Sequence, residues 1–242
     1  MSTIDINSDL GEGIGNDEAI MPYITSCNIA CGGHAGDLSS MQETLLLAQQ
    51  YKVKIGAHPS FPDRENFGRK TMHLSDSELK ESILSQVSAL SHAAGSLGLS
   101  LHHIKPHGAL YNQAAKDPAL AKTIVGIIKD HFKELTLFAP PGSALLKEGK
   151  QQGITVWTEV FADRNYREDL SLVPRSEANA VIHEEKEVLS HLKNMLCERK
   201  VKTINHQWIP ITADTICVHG DNPHAVSLAR NIHNFIHGTL QS

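Results

Sequence analysis

Acidic, basic and imidazole side chains recur at the ends of short apolar runs, where they could move protons or bind a metal ion. In the clearest example, residues 28–37, an apolar run ends in glycines that surround His34 and precede Asp37. Glycine lets the backbone approach a ligand closely, and histidine can ligate metal or act in proton transfer. Asp37 stands directly before a helical pattern and is predicted to be its N-cap. The stretch therefore predicts a strand that ends at a functional site.

The same arrangement follows most of the other predicted strands. The candidate residues, in chain order, are Asp9, Glu12, His34, Asp37, His58, Asp63, Lys105, His107, Asn112, Glu159, Asp163, Arg164, His219 and Asp221. Any one of them has a structural explanation, because a solvated strand end is usually polar. Their repetition favours a shared site.

Two kinds of chemistry suit these residue types. Asp9 with histidines such as His34 and His58 offers the oxygen and nitrogen ligands that zinc prefers, and a bound ion activates water for hydrolysis. No contiguous motif such as HExxH supports a metal. Without a metal, the carboxylates and imidazoles, including His107, can act as general bases and acids, while Lys105 neutralises an oxyanion or a phosphate.

Apolar runs and amphipathic stretches alternate along the chain, which predicts parallel strands joined by helices and hence an α/β fold. Strands are predicted at 4–7, 24–30, 53–57, 99–104, 136–139, 154–160 and 215–218. Helices are predicted at 38–50, 75–97, 117–132, 143–152, 184–197 and 225–235. A barrel mouth would gather the strand-end residues around one cavity, whereas an open sheet would spread them along an edge. We predict a distorted seven-stranded (β/α) barrel that forms one domain over residues 1–242.

Three segments between these elements have distinct predictions. Residues 105–112 are predicted to be a loop at the site. The polar segment 167–179, with Pro174 inside it, is predicted to be a surface loop and a candidate lid. Residues 201–210 are ambiguous and are interpreted as a small β-excursion.

Composition limits the partners and the compartment. The formal net charge of −5, without a basic stripe, argues against nucleic acid or an anionic membrane as the main partner. No apolar run approaches the length of a membrane span. The four cysteines are scattered and form no CxxC pair, so we expect reduced thiols and a cytoplasmic protein. No phosphate-binding loop of the GxxxxGK[ST] type is present, so any nucleotide would be bound in an unfamiliar way.

Longer motifs carry a resemblance to a known family. They are NSDLGEG at 7–13, NIACG at 28–32, HAGD at 34–37, GAHP at 56–59, FGR at 67–69, KPHGALYN at 105–112, EVFADR at 159–164, LVPR at 172–175 and DTICVHGD at 214–221. In these segments the chain resembles the LamB/YcsF family over almost its whole length. Bacterial members of that family form the A subunit of an ATP-dependent 5-oxoprolinase.

The resemblance implies a barrel related to the glycoside hydrolase and polysaccharide deacetylase barrels. It implies cleavage of 5-oxoproline to L-glutamate with hydrolysis of ATP to ADP and phosphate, Mg²⁺ accompanying the ATP, and two further subunits, B and C, as partners. For that reaction we expect Asp9 to orient or deprotonate water, His58 and His107 to move protons, and Lys105 to stabilise phosphate or oxyanion charge.

Substrate contacts are expected from a wider set, in which an arginine would pair with the substrate carboxylate. These residues are Glu12, His34, Asp37, Asn112, Glu159, Asp163, Arg164, Arg175, His219 and Asp221. Two alternatives stay open. One is a metal-dependent deacetylase or amidohydrolase, and the other is a non-catalytic subunit that binds the substrate.

Overall fold

The computed structural model describes residues 4–218, 220 and 225–239. The strands are β1 Asp5–Leu10, β2 Ser26–Ala30, β3 Lys54–His58, β4 His103–Ile104, β5 Thr136–Ala139, β6 Val156–Phe161, β7 Lys200–Lys202, β8 Trp208–Pro210 and β9 Thr215–Cys217. The helices are α1 Asp17–Ile20, α2 Leu38–Tyr51, α3 Asp76–Ser96, α4 Gly108–Ala114, α5 Pro118–His131, α6 Ala144–Gln152, α7 Glu185–Leu196 and α8 Ala225–Thr239. The predicted site residues His219 and Asp221 lie outside the described part of the chain.

Seven parallel strands close into a barrel in the order β1-β2-β3-β4-β5-β6-β9, which confirms the predicted (β/α) barrel. Closure is made by β9, which pairs with β1 on one side and with β6 on the other. The remaining two strands, β7 and β8, form a separate antiparallel hairpin within the segment predicted as a β-excursion. All strands of a parallel barrel point their carboxyl ends to one mouth, so the strand-end residues share that mouth.

The six helices that the sequence predicts begin within one residue of their predicted starts, whereas the short helices α1 and α4 were not predicted. Ser75 and Glu78 form a reciprocal capping box at the start of α3, and Asp37 accepts a hydrogen bond from the Ser40 backbone N–H at the start of α2. Each cap satisfies backbone donors that the first turn leaves open. Along α3 the buried positions include Leu79 and Ile83, whose spacing places the apolar face against the barrel.

Two predictions were wrong in detail. The fourth strand was expected over 99–104 but spans only His103–Ile104, because the preceding residues complete the end of α3, where the Leu99 N–H donates to the Ala94 carbonyl at 2.9 Å. The segment 105–112 was expected to be a loop, yet it turns at His107 into the short helix α4. Leu110 and Ala114 of α4 are buried on one face, and that packing outweighs the glycine at its start.

The barrel interior is filled with hydrogen-bonded polar side chains. Asn7 donates to Thr215 Oγ1 at 2.8 Å, and Asn28 donates to Asn7 Oδ1 and to Asp9 Oδ1, both at 2.8 Å. His103 Nε2 lies 2.7 Å from Asn28 Oδ1 and therefore donates to it. Parallel barrels usually fill this space with branched apolar residues. Here a buried polar network fixes the floor of the mouth, since satisfied networks rigidify a core.

The segment 167–179 is held close to the barrel mouth. Isolated bridges join Arg164 to Val181 and Tyr166 to Leu172, and the Arg164 guanidinium donates to the Val173 carbonyl at 2.6 Å. Leu172 and Pro174 line the cavity described below.

Within the described residues, no helix combines the length and the apolar character that a membrane crossing requires.

Candidate functional site

A buried lysine lies at the floor of the barrel mouth. Lys105 Nζ is 2.9 Å from Asp9 Oδ1 and 2.9 Å from Glu159 Oε1, so one ammonium lies between two carboxylates. Tyr111 donates to the other oxygen of Glu159 at 2.5 Å. Asn28, from β2, orients Asp9 from below. These groups come from different strands and from α4, and the closed barrel brings them together.

The electrostatics of this floor keep Lys105 charged. Burial alone lowers the pKa of Lys105, but the neighbouring Asp9, Cys217 and Glu159 outweigh it, and the net pKa is well above its ordinary value. For Tyr111, burial and the Glu159 carboxylate act in one direction, and both raise its pKa. Lys105 is therefore suited to stabilise negative charge, and Tyr111 to donate a hydrogen bond, rather than to accept protons.

Three imidazoles and one carboxylate form a cluster next to Lys105. The ligand atoms of Glu12, His34, His58 and His107 all lie within 4.8 Å of one another. Glu12 Oε1 is 3.0 Å from His34 Nε2, 3.5 Å from His107 Nδ1 and 3.9 Å from His58 Nε2. The rings of His34 and His107 stack at 3.7 Å between centroids, with an interplanar angle of 5°. We call these four residues the imidazole cluster.

The imidazoles differ in protonation. Burial lowers the pKa of His34 to about 3 and, with the adjacent His58, lowers the pKa of His107 to about 2. Burial acts in the same direction on His58, but the carboxylates of Asp9 and Glu12 outweigh it, and the net pKa of His58 is raised. At neutral pH His34 and His107 are therefore uncharged, and His58 is the imidazole most able to hold a proton.

Main-chain carbonyls fix the two inner rings. His58 Nδ1 lies 2.6 Å from the Lys105 carbonyl, and His107 Nε2 lies 3.0 Å from the Phe67 carbonyl. Phe67 adopts a left-handed backbone conformation with φ of 55°, which turns its carbonyl toward the ring. A Cβ on the following Gly68 would lie 2.9 Å from the Cβ of His34. Only glycine lets this loop close over the cluster.

A cavity of about 970 Å³ opens above the floor. Its cationic lining residues are Arg69, Lys105, Lys116, Lys147, Arg164 and Arg175. Its carboxylate lining residues are Asp9, Glu12, Glu168 and Asp169. Positive groups outnumber negative ones in this lining, although the whole chain carries a formal net charge of −5. The cavity is therefore suited to an anionic ligand.

The structure brings most of the predicted site residues together. Those at the floor or in the imidazole cluster are Asp9, Glu12, His34, His58, Lys105, His107 and Glu159. Three others line the cavity wall, namely Asn112, Arg164 and Arg175. Arg164 also supports the 167–179 segment through the carbonyl contacts of its guanidinium group.

Other predicted residues lie elsewhere. The exposed side chain of Asp37 is engaged in the cap of α2, so its position supports the capping prediction and places it away from the cavity. Asp63 accepts hydrogen bonds from Asn66 in a local turn. Asp163 is buried and does not line the cavity, and its carboxylate acts to raise the pKa of the neighbouring Arg164. The potential metal ligands also differ from the sequence-based set, because Glu12 and His107 join His34 and His58, while Asp9 faces Lys105.

Sequence reasoning missed several functional neighbours. Asn28 and Tyr111 position the two carboxylates, and the Phe67 carbonyl orients His107. A usable signal was present in β1, where Asp5, Asn7 and Asp9 stand at every second position. In a closed barrel both strand faces are buried, so that spacing marks polar residues that point inward.

Comparison with known proteins identifies the family. Residues 4–240 match the LamB/YcsF family. The chain belongs to the LamB/YcsF family. A relative from Neisseria meningitidis serogroup C (strain 053442), named as the A subunit of 5-oxoprolinase, is 47% identical over 232 residues, which cover 96% of this chain and 95% of the relative.

One solved structure agrees with this LamB/YcsF assignment. The crystal structure of a lactam utilization protein from Thermus thermophilus superposes with a TM-score of 0.92 and 36% identity, covering 98% of this chain and 97% of that chain. A family 4 carbohydrate esterase from Streptomyces lividans superposes with a TM-score of 0.46 and 11% identity, covering 98% of this chain and 88% of that chain. The second likeness is too weak to carry an argument about this LamB/YcsF chain.

Proposed function

We propose that this chain is the A subunit of an ATP-dependent 5-oxoprolinase, which opens 5-oxoproline to L-glutamate together with two further subunits, B and C. The family and the name of the Neisseria relative support a role in 5-oxoproline metabolism. The observation that carries the chemical part is the Lys105 ammonium held between Asp9 and Glu159 at the floor of an anion-suited cavity.

The lactam carbonyl is a weak electrophile, so the proposed reaction activates it with ATP. Transfer of the γ-phosphoryl group to the carbonyl oxygen releases ADP and makes the ring carbon open to attack by water. The ring C–N bond then breaks, its nitrogen takes a proton, and the resulting acyl phosphate is hydrolysed to the carboxylate and phosphate. Charge develops on oxygen along this path, and protons are removed from water and delivered to nitrogen.

The residues of the floor match those needs. Lys105 lies where it would stabilise the developing oxyanion or the transferred phosphoryl group. Asp9 would accept a proton from water, and His58, 3.5 Å from Asp9 Oδ1, would pass a proton to the leaving nitrogen. These three residues line the cavity together with Tyr111, whose hydroxyl steadies Glu159.

The outer cavity offers groups for the nucleotide. Pockets of about 300–1,000 Å³ hold drug-sized ligands, and this cavity, at about 970 Å³, has room for more than a five-membered lactam. Arg69, Lys116, Lys147 and Arg175 line it and would bind phosphate oxygens or the substrate carboxylate. ATP supplies the phosphoryl group, and Mg²⁺ bound with it would offset charge on its phosphates.

The free thiols of all four cysteines suit the reducing cytoplasm, where we place the reaction.

A second candidate is a metal-dependent amidohydrolase, favoured by the three imidazoles and the carboxylate of the imidazole cluster. The two functions differ in their requirement for ATP. In a third candidate function the chain only binds substrate. That function is less consistent with the raised pKa values of Lys105 and His58 beside one cavity, because strongly shifted pKa values are typical of catalytic sites.

The test is glutamate release from 5-oxoproline by the chain alone and by the chain with the B and C subunits, each with and without ATP and after chelator treatment. We expect glutamate only with all three chains and ATP. Asp9→Asn, which keeps the shape and can still accept the hydrogen bond from Asn28, should abolish release, whereas Lys122→Met on the exposed face of α5 should not. No glutamate from a folded, assembled complex would refute the proposal. ATP-independent release would favour the amidohydrolase, and full activity of Asp9→Asn would remove Asp9 from the mechanism.

A further inference from the structure

The imidazole cluster needs a positive charge between His58 and His107, which either a proton or a metal ion can supply. His58 Nδ1 and His107 Nε2 each face a main-chain carbonyl oxygen, at 2.6 Å and 3.0 Å. A carbonyl oxygen only accepts hydrogen bonds, so both of these nitrogens carry their ring's proton. When both rings are neutral, the remaining nitrogens, His58 Nε2 and His107 Nδ1, present lone pairs to each other at 3.0 Å. Two facing lone pairs repel unless a positive charge lies between them.

The spacing of the cluster matches the size of a metal site. Four tetrahedral ligands with bonds of about 2.0–2.1 Å lie about 3.3–3.4 Å from one another. Among Glu12 Oε1, His58 Nε2 and His107 Nδ1 the separations are 3.5 Å from Glu12 to His107, 3.9 Å from Glu12 to His58 and 3.0 Å from His58 to His107. These distances bracket the tetrahedral value without any change in the backbone.

The surroundings of the ligands also fit a metal. Histidines that bind metal usually donate their other ring N–H to a carbonyl or carboxylate, which is how His58 and His107 are held. The Glu12 carboxylate supplies negative charge at the ion itself, because its Oε1 lies within 3.9 Å of both imidazole ligands, whereas Asp9 and Glu159 are paired with Lys105. Two imidazole nitrogens and one carboxylate oxygen favour an ion of the zinc type over Mg²⁺ or Ca²⁺, which prefer oxygen ligands alone.

We propose that Glu12, His58 and His107 bind one divalent transition-metal ion of the zinc class at the barrel mouth. The His34 ring lies parallel to the His107 ring at 3.7 Å, so it cannot direct a lone pair at the same ion, and its Nε2 instead donates to Glu12 at 3.0 Å. Glu12, His58 and His107 line the cavity, so the bound ion borders the space in which a substrate carbonyl would lie. Glu12 lies on the glycine-rich loop after β1, and with three protein ligands the fourth position stays open to water or to a substrate oxygen. The inference does not rest on the proposed function, since it concerns binding of an ion and not turnover. With the ion bound, His58 is a ligand, and Asp9 rather than His58 would return the proton to the leaving nitrogen.

The test measures metal on the purified full-length chain. Protein stripped by a chelator is exposed to excess Zn²⁺, freed of unbound ion, and analysed by mass spectrometry for zinc. We expect one zinc per chain. A parallel titration with Co²⁺ should give the strong visible absorption of a tetrahedral cobalt site, which reports on ligand geometry and is independent of catalysis.

Three variants locate the ion. His107→Gln and the nearly isosteric Glu12→Gln should each weaken zinc binding by more than about 100-fold. Loss of a residue that only supports a metal ligand weakens binding by up to about 100-fold, so a larger effect indicates a direct ligand. His92→Gln replaces an exposed histidine of α3, and it should bind zinc as the wild type does. Circular dichroism confirms that each variant is folded, and Glu12→Gln, on a loop, gives a folded comparison if His107→Gln does not.

Two results would overturn the inference. A wild-type chain that retains neither zinc nor cobalt would show that the positive charge between His58 and His107 is a proton. Variants that bind both ions as tightly as the wild type would place the metal elsewhere. Since the readout is bound metal and not glutamate, either result leaves the proposed 5-oxoprolinase function to its own test.

Discussion

Replacing Gly56 with alanine would put a methyl group where the polar barrel interior has no space. Gly56 of β3 is paired in register with His103 of β4, so a side chain at residue 56 points at the imidazole. An alanine Cβ would lie 2.0 Å from His103 Nε2 and 2.3 Å from His103 Cδ2, whereas ordinary contacts begin at 3.4 Å. The ring would have to move by about 1.4 Å, yet it is stacked on Phe138 with 4.0 Å between centroids.

The expected loss of stability in Gly56→Ala has two parts. Overpacking of a rigid core costs about 1–3 kcal/mol. Movement of the ring also breaks the 2.7 Å hydrogen bond to Asn28 Oδ1, and a buried acceptor left without its partner costs about 1–3 kcal/mol more. We therefore expect Gly56→Ala to lower the free energy of unfolding by about 2–6 kcal/mol. Because Asn28 orients Asp9, glutamate release by the assembled enzyme should fall as well.

Urea unfolding of four proteins tests the reasoning: wild type, Gly56→Ala, His103→Ala and the double variant. With the imidazole removed, the new methyl group has space, and Gly56→Ala should then be neutral or stabilising by about 0.4–1 kcal/mol through the unfolded chain. An equal cost of Gly56→Ala with and without His103 would refute the steric argument.

Two further predictions concern single charges. Lys105→Met should lower the free energy of unfolding, measured by chemical denaturation, by about 3–5 kcal/mol, because it leaves Asp9 and Glu159 buried without their shared cation. A loss below about 1 kcal/mol would contradict the view that these three charges form a buried ion network. Burial lowers the pKa of His191 to about 4, so the unfolded chain takes up a proton on this residue as the pH falls from 6.5 to 4 and the native state loses stability there. In His191→Gln, the free energy of unfolding should fall by up to about 3 kcal/mol less than in the wild type between pH 6.5 and 4. Unfolding measured across this range should therefore depend less steeply on pH, and an unchanged slope would contradict the burial argument.

The sequence predicted the barrel well because its signals are local. Caps such as Ser75 and the alternation of apolar runs depend on neighbouring residues, and the structure confirms the element order. The short length of β4 was not predictable in the same way, since it depends on where the end of α3 meets the sheet. Helix α4 was missed because its stability comes from burial of Leu110 and Ala114 against the rest of the fold.

For the candidate site, the residue types predicted which residues belong to the site but not how their side chains are arranged. Lys105, Asp9 and His58 were expected at one mouth, and the structure places them there. Sequence alone could not show that Asp37 serves only its helix cap or that Glu12 faces three imidazoles. Those facts depend on side-chain directions that only the folded barrel sets.

Closure of the barrel by its last strand also determines when the site can form during synthesis. Asn7 Nδ2 bonds to Thr215 across 208 positions of sequence, and Cys217 Sγ lies 3.2 Å from Lys105 Nζ. A ribosome releases residue 7 long before residue 215, so a nascent chain has most of its strands but an unfinished floor. Contacts that span this much sequence form late and slowly. Until β9 inserts, the growing polypeptide has one open strand edge on β1 and another on β6, and each edge can pair with a strand of another chain.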